Sequence, residues 1–140
     1  MPNTIEVSQF EQAEAYSPDS ITSGGLYPCI AVGFYDKVLK KVYLIHESNA
    51  SMNQGIPGYI KHVLTGSESK NLKIYVTGAC ILDGDTDEDI QYVMNDRDYV
   101  QTLLNEVFMA EQISYEWPPF NVCVEMTISA QTGECQEEHH

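Results

Sequence analysis

Two apolar runs separated by a six-residue polar turn constrain the fold of this chain more than any other feature. The first run covers residues 30–35, the second covers residues 42–45, and the lysine-rich turn lies between them. Two β-rich runs joined by a short turn are typical of a β-hairpin, in which the start of one strand lies beside the end of the other. We therefore expect Cys29, just before the first run, to lie close to His46, just after the second.

A cysteine beside a histidine can perform nucleophilic catalysis, because the imidazole accepts the thiol proton and the thiolate then attacks a carbonyl carbon. We predict Cys29 as the nucleophile and His46 as the base, and we expect a catalytic Cys29 thiol to have a lowered pKa. Such a pair also needs a third group that fixes the imidazole tautomer. The nearby candidates are Thr22, Ser23 and Glu47.

The remaining cysteines and histidines show no such pairing. Cys80 and Cys123 lie beside apolar strand residues with no histidine at hairpin distance, and Cys135 lies near the end of the chain. Buried cysteines commonly act as small hydrophobic residues, so we interpret these three as structural. His62 falls on a predicted helix without a thiol partner, and residues 139–140 match the remnant of an expression tag.

The size and composition predict one globular domain. The chain has 140 residues, of which 43% are hydrophobic and 20% are charged. We expect a core at residues 21–135, an N-terminal extension at residues 1–20 and a short tail at residues 136–140. The order of elements is rich in strands, with two helices inserted. It predicts an α+β fold in which a β-sheet or sandwich is flanked by two or three helices.

The charge of the chain is strongly acidic, with seven Lys and Arg residues against 21 Asp and Glu residues and a formal net charge of −14. This charge disfavours nucleic acid and anionic membranes as partners and would attract a basic protein. We expect no membrane insertion, because no apolar run approaches the length of a span, and no leader sequence is evident. The cysteines lack zinc-site spacing. Because no leader sequence is evident, we expect a cytoplasmic protein with reduced thiols.

Helical spacing occurs twice after residue 58. Residues 59–64 predict a short helix that ends at Gly66, and residues 72–77 predict a strand. The acidic stretch at residues 83–89 does not fit a calcium loop, so we predict a solvated loop. We expect the long helix to begin at an Asn95 cap. Its apolar stripe consists of Val100, Leu103, Leu104, Val107 and Phe108.

The segment around the cysteine carries a family resemblance. Ser23 precedes Cys29 by six positions, a strand ends in Tyr35-Asp36, and His46 follows the lysine-rich turn. This pattern resembles the CheD family of chemoreceptor glutamine deamidases. The resemblance covers roughly residues 21–135 and includes three later segments in the same order: residues 72–79, residues 96–98 before the long helix, and Thr132-Gly133.

The resemblance implies a cysteine-dependent protein-glutamine deamidase. Cys29 would attack the carboxamide of a protein glutamine, and His46 would take the thiol proton and then protonate the departing ammonia. Ser23 would help to orient the histidine. The partners implied are a glutamine-bearing protein substrate and a regulatory protein, in a role like that of chemotaxis proteins, with no metal or cofactor.

Two other functions remain open because the chain departs from the family pattern beside both predicted catalytic residues. Tyr27-Pro28 replaces Gly-Ser before the cysteine, and Pro28 has no backbone N–H to offer. Residues 47–49 are polar where the family is apolar. One alternative is a catalytically silent CheD-like module that binds protein. The other is a cysteine hydrolase that acts on a different amide or on an ester.

Overall fold

The two apolar runs form adjacent antiparallel strands, as predicted, and these strands lie at the centre of the fold. The computed structural model describes residues 2–140. Its strands are β1 (Thr4–Glu6), β2 (Gln12–Tyr16), β3 (Ser20–Leu26), β4 (Ile30–Asp36), β5 (Lys41–Glu47), β6 (Leu72–Gly78), β7 (Ile113–Glu116), β8 (Val124–Ser129) and β9 (Cys135–His139). Its α-helices are α1 (Ala50–Asn53), α2 (Gly55–Gly66) and α3 (Asp87–Val107).

The strands form two sheets, which confirms the predicted α+β class. One sheet has the order β1-β3-β8-β9 and the other has the order β2-β5-β4-β6-β7. Neighbouring strands are antiparallel except for the β1/β3 and β6/β7 pairs, which are parallel. No helix within residues 2–140 is long and apolar enough to cross a membrane.

Strands β4 and β5 are buried along their whole length because both faces of this hairpin are covered. One face carries Val32 and packs with the helices, whereas the other carries Ala31 and packs against the four-stranded sheet. A strand covered on both faces has a continuous apolar run instead of alternation. The sheets approach closely at Gly33, where an added Cβ would lie 2.3 Å from Ile128 Cδ1.

Helix α3 begins at Asp87, so the predicted start at Asn95 is wrong. Thr86 is the N-cap: its hydroxyl accepts a hydrogen bond from Asp89 N at 3.1 Å, and Asp89 Oδ2 accepts one from Thr86 N at 3.0 Å. This reciprocal capping box and the acidic first turn both stabilise a helix N-terminus. Part of the acidic stretch that we expected to be loop is therefore helical.

The N-terminal residues, expected as an extension, contribute strands to both sheets. Strand β1 pairs with β3, and β2 pairs with β5. Between these strands, Phe10 N donates to the His46 carbonyl at 2.8 Å, and His46 N donates to Glu11 O at 3.0 Å. The last residues are also paired, because β9 runs to His139 alongside β8. Phe10 and Glu11 thus lie directly against the end of β5.

Candidate functional site

Cys29 and His46 lie at neighbouring positions on the face of the hairpin that points toward the four-stranded sheet. Ala31 is directly opposite His46 in the β4–β5 register. Cys29 directly precedes β4 and packs in the same hydrophobic cluster as Ala31, on this side of the hairpin. Both side chains are buried, at 5% and 4% exposure. The hairpin therefore places Cys29 and His46 on one face, and within residues 2–140 no hydrogen bond joins their side chains.

The imidazole of His46 is held by a backbone carbonyl. Its Nδ1 lies 2.9 Å from Val7 O, and a carbonyl can only accept, so Nδ1 carries the hydrogen and Nε2 carries the lone pair. Nε2 is buried and has no hydrogen-bond partner among residues 2–140, so no bond joins it to the Cys29 thiol. Unpaired buried polar atoms are rare in proteins. This one is a basic nitrogen in the tautomer that can accept a proton.

Ser23 does not make the orienting contact that we predicted for it. Its hydroxyl donates to Gly24 O at 2.7 Å and accepts from Met126 N at 3.0 Å. These bonds lie where the β3–β8 register shifts, and they satisfy backbone groups that the irregular pairing would leave free. The contact that fixes the tautomer of His46 comes instead from Val7. A backbone carbonyl 39 residues away leaves no signal in the sequence.

The Cys29 thiol is neutral at neutral pH. Burial raises the pKa of the Cys29 thiol, the nearby Glu47 carboxyl raises it further, and a hydrogen bond with the Ser48 side chain opposes both effects. Burial also raises the pKa of the Glu47 carboxyl. The lowered thiol pKa that we expected is therefore absent, because the desolvation of the site exceeds the stabilisation that Ser48 offers to a thiolate.

The segment that carries Cys29 is bonded to the chain just beyond β6. Ala79 N donates to Cys29 O at 2.7 Å, and Cys80 N donates to Tyr27 O at 2.9 Å. Gly78 makes this close approach possible: its φ is +106°, and an added Cβ would lie 2.2 Å from Cys29 O. Glycine adopts such backbone angles readily, whereas other residues rarely do. The position of the Cys29 backbone therefore depends on Gly78.

A cavity of about 330 Å³ opens beside this segment. Two of its lining residues, Pro28 and Asn49, are the chain neighbours of Cys29 and Ser48. Its walls are formed by Tyr27, Pro28, Asn49, Cys80, Asp85, Asp89, Tyr92, Val93 and Asp96. We call this cavity the acidic pocket. Cys29 and Ser48 themselves do not line this cavity, which contains three carboxylates.

The other candidate residues are arranged differently. The Cys80 thiol donates to Leu26 O at 2.9 Å, and burial raises its pKa to about 11. Burial also raises the pKa of Cys135, to about 12. His62 is exposed and bonded to Glu14. None of these groups combines a thiol with an imidazole nitrogen that lacks a partner, whereas Cys29 and His46 lie on one face of the hairpin.

One group of side chains could hold a metal ion. The ligand atoms of Glu125 in β8, Glu138 in β9 and His140 just after β9 lie within 4.8 Å of one another. Glu125 also accepts a hydrogen bond from the Thr22 hydroxyl at 3.3 Å. This group lies in the sheet opposite the hairpin and does not include Cys29 or His46.

Comparisons with known proteins add one distant similarity. No protein-family model matches the chain, and no curated protein matches it. A solved structure, that of the hypothetical protein YfiH from Bacillus licheniformis, aligns with a TM-score of 0.45 at 14% sequence identity. The alignment covers 79% of this chain and 51% of that one, so the chain spans about half the length of YfiH. A similarity this partial supports no statement about function.

Proposed function

We propose that the protein is a cysteine-dependent amide hydrolase that deamidates protein glutamine, with Cys29 as the nucleophile and His46 as the base. One observation carries the proposal: the buried Nε2 of His46 has a free lone pair, held in place through Nδ1, on the same face as Cys29. A base next to a neutral thiol activates that thiol during attack, without a preformed ion pair. The choice of glutamine as the substrate rests on the resemblance to the CheD family.

The reaction divides into two displacements at one carbonyl carbon. The Cys29 sulfur bonds to the carboxamide carbon while its proton passes to His46 Nε2. The imidazolium then donates this proton to the leaving nitrogen, which departs as ammonia and leaves a thioester. Water attacks the thioester with His46 again as the base, which releases glutamate and restores the thiol. Throughout, Nδ1–H donates to Val7 O, which stabilises the imidazolium as it forms.

The base role of His46 can be tested with iodoacetamide, which carries the same primary carboxamide group as glutamine. We expect wild-type Cys29 to be alkylated below pH 8 despite its raised pKa, because His46 accepts the proton. In His46→Ala the rate at neutral pH should fall by about a hundredfold and should recover only above pH 9. Peptide mass spectrometry reads each cysteine separately. Wild type, His46→Ala and a separate Cys29→Ala variant are then compared for conversion of glutamine to glutamate in candidate proteins.

The matched control is His62→Ala, which removes an exposed histidine and should leave the alkylation of Cys29 unchanged. Ser23→Ala should also preserve the tautomer of His46, since Val7 holds it. Equal alkylation rates in wild type and His46→Ala would show that His46 is not the base.

A catalytically silent binding module is the second candidate, and the burial of the thiol favours it. Cys29 is only 5% exposed, and its raised pKa keeps the thiol protonated. If Cys29 is alkylated at neutral pH no faster than Cys80, the module is the better assignment, because both thiols would then be inert core groups.

A further inference from the structure

Two cysteines outside the predicted catalytic pair, Cys80 and Cys123, lie on chain segments that are bonded to each other. Asn121 N donates to Ile81 O at 2.7 Å, and Asp83 N donates to Asn121 Oδ1 at 3.0 Å. The segment that follows β6 therefore runs directly against the segment that precedes β8. Each segment carries one of the two cysteines, and both are free thiols.

The two side chains meet at the start of β8. The Cys80 thiol donates to Leu26 O at 2.9 Å, and Leu26 pairs with Val124 in the β3–β8 register. Burial raises the pKa of Cys80, a hydrogen bond with the Val124 backbone opposes this effect, and the adjacent Cys123 side chain raises the pKa further. Cys80 thus reaches both the Cys123 side chain and the backbone of the next residue.

The other two cysteines are placed differently. Cys135 pairs with Ile128, five positions along the chain from Cys123, which is roughly 16 Å at about 3.3 Å per strand residue. A disulfide requires Cα atoms within about 7 Å of each other, so this distance excludes Cys135 as the partner of Cys123. The Cys29 thiol is hydrogen-bonded with the Ser48 side chain, just beyond β5. Cys80 and Cys123 are therefore the two thiols that the fold places together.

The two thiols differ in their access to solvent. Cys80 is 1% exposed, whereas Cys123 is partly exposed. Oxidants reach exposed thiols more readily than buried ones. Cys123 is therefore the thiol that a dissolved oxidant meets first, and Cys80 lies behind it as a second thiol that can complete a disulfide.

We propose that Cys80 and Cys123 form a reversible disulfide when the protein meets a peroxide. With hydrogen peroxide, the Cys123 sulfur bonds to one oxygen as the O–O bond breaks, and the other oxygen leaves as water with the Cys123 proton. The Cys80 sulfur then attacks the sulfur of this sulfenic acid, the S–O bond breaks, and the hydroxyl group leaves as water with the Cys80 proton. The two thiols supply the two electrons that the peroxide gains. Exchange with a thiol reductant restores both thiols.

This disulfide would join β8 to the segment that holds the Cys29 backbone. Ala79 N donates to Cys29 O at 2.7 Å, and Cys80 N donates to Tyr27 O at 2.9 Å. Oxidation would also remove the thiol hydrogen that Leu26 O accepts. The surroundings of the predicted nucleophile would therefore change without its own modification. The inference does not depend on the proposed function, because the disulfide uses neither Cys29 nor its base.

The link is tested by treating the folded protein with hydrogen peroxide, blocking the remaining thiols with N-ethylmaleimide and digesting without reduction. Cleavage after glutamate places Cys80 in residues 69–88 and Cys123 in residues 117–125, and it separates both from Cys135. We expect mass spectrometry to find these two peptides joined, and dithiothreitol to separate them. In Cys80→Ser, Cys123 should persist as a sulfenic acid that dimedone labels. Cys135→Ser is the matched control and should keep the link.

Oxidation in concentrated urea shows what unfolded chains produce, because thiols there pair without the constraint of the fold. Folded protein that gives no link, the same mixture of links as in urea, or a link from Cys80 to Cys29 would overturn the assignment. The link should also raise the Tm of wild type by at least about 5 °C, and this rise should be absent in Cys123→Ser. An equal or lower Tm after oxidation would show that the bond distorts the fold, and would equally overturn a disulfide between native neighbours.

Discussion

Gly78→Ala should both displace the backbone of Cys29 and destabilise the protein. The new methyl group would lie 2.2 Å from Cys29 O and 3.2 Å from Cys29 C, and both are backbone atoms with little freedom to move. Ordinary contact requires a separation about 1 Å greater than the first of these distances. Because Gly78 has φ +106°, alanine there would also strain the backbone, at a cost of about 1–3 kcal/mol.

Together the strain and the displacement should lower the free energy of unfolding by about 2–4 kcal/mol. For a domain of this size the Tm should fall by roughly 5–15 °C. Urea unfolding followed by circular dichroism measures the first quantity, and a thermal scan measures the second. The alkylation rate of Cys29 by iodoacetamide, relative to Cys123 in the same sample, should fall by about a hundredfold, since misplacement by about 1 Å can cost this much in rate.

Gly25→Ala is the matched control, because it lies in β3 on the other side of Cys29 and no atom lies within 4 Å of its added Cβ. Its stability should stay within about 1 kcal/mol of wild type, with any change in the stabilising direction. If Gly78→Ala were as stable as Gly25→Ala, the argument that Gly78 fixes the Cys29 backbone would be refuted.

Two further predictions concern the stability of the fold at Cys80 and at the N-terminus of α3. Burial raises the pKa of Cys80 from its ordinary 9.0 to about 11. The contribution of the protonated Cys80 thiol to the free energy of unfolding is therefore complete below pH 9 and is lost as the pH rises toward 11. Stability should drop by about 1.4 kcal/mol between pH 8 and pH 10 on this account, and urea unfolding of Cys80→Ala should lack that part of the pH dependence. Thr86→Ala removes the N-cap of α3 and should cost about 1 kcal/mol, whereas Thr102→Ala, exposed on the same helix, should cost nothing in the same assay.

The centre of the fold could be predicted from the sequence because its signal is local. The runs that form β4 and β5 are apolar along their whole length, and a short polar turn joins them, so both the pairing and the position of Cys29 beside His46 follow. The start of α3 was missed for a local reason also. Thr86 and Asp89 form a capping box in the sequence, but the density of acidic residues around them favoured a solvated loop.

The details of the site were less accessible because they depend on groups that sequence patterns do not mark. The bond from His46 to Val7 uses a backbone carbonyl, and the acidic pocket joins α3 to the loops that carry Tyr27 and Asn49. The raised pKa of Cys29 follows from burial between layers, which depends on the packing of the two sheets. Each of these features arises from contacts between segments that are distant in the chain.

The contact between Val7 and His46 does not depend on the identity of the amino acid at position 7. The atom that fixes the His46 tautomer belongs to the main chain, so every amino acid at position 7 would supply it equally. Conservation of this contact would constrain the path of the backbone between β1 and β2, whereas the side chain at position 7 answers to core packing, where Val7 is 1% exposed. Related proteins could therefore keep the carbonyl contact with the histidine and differ in the amino acid at position 7.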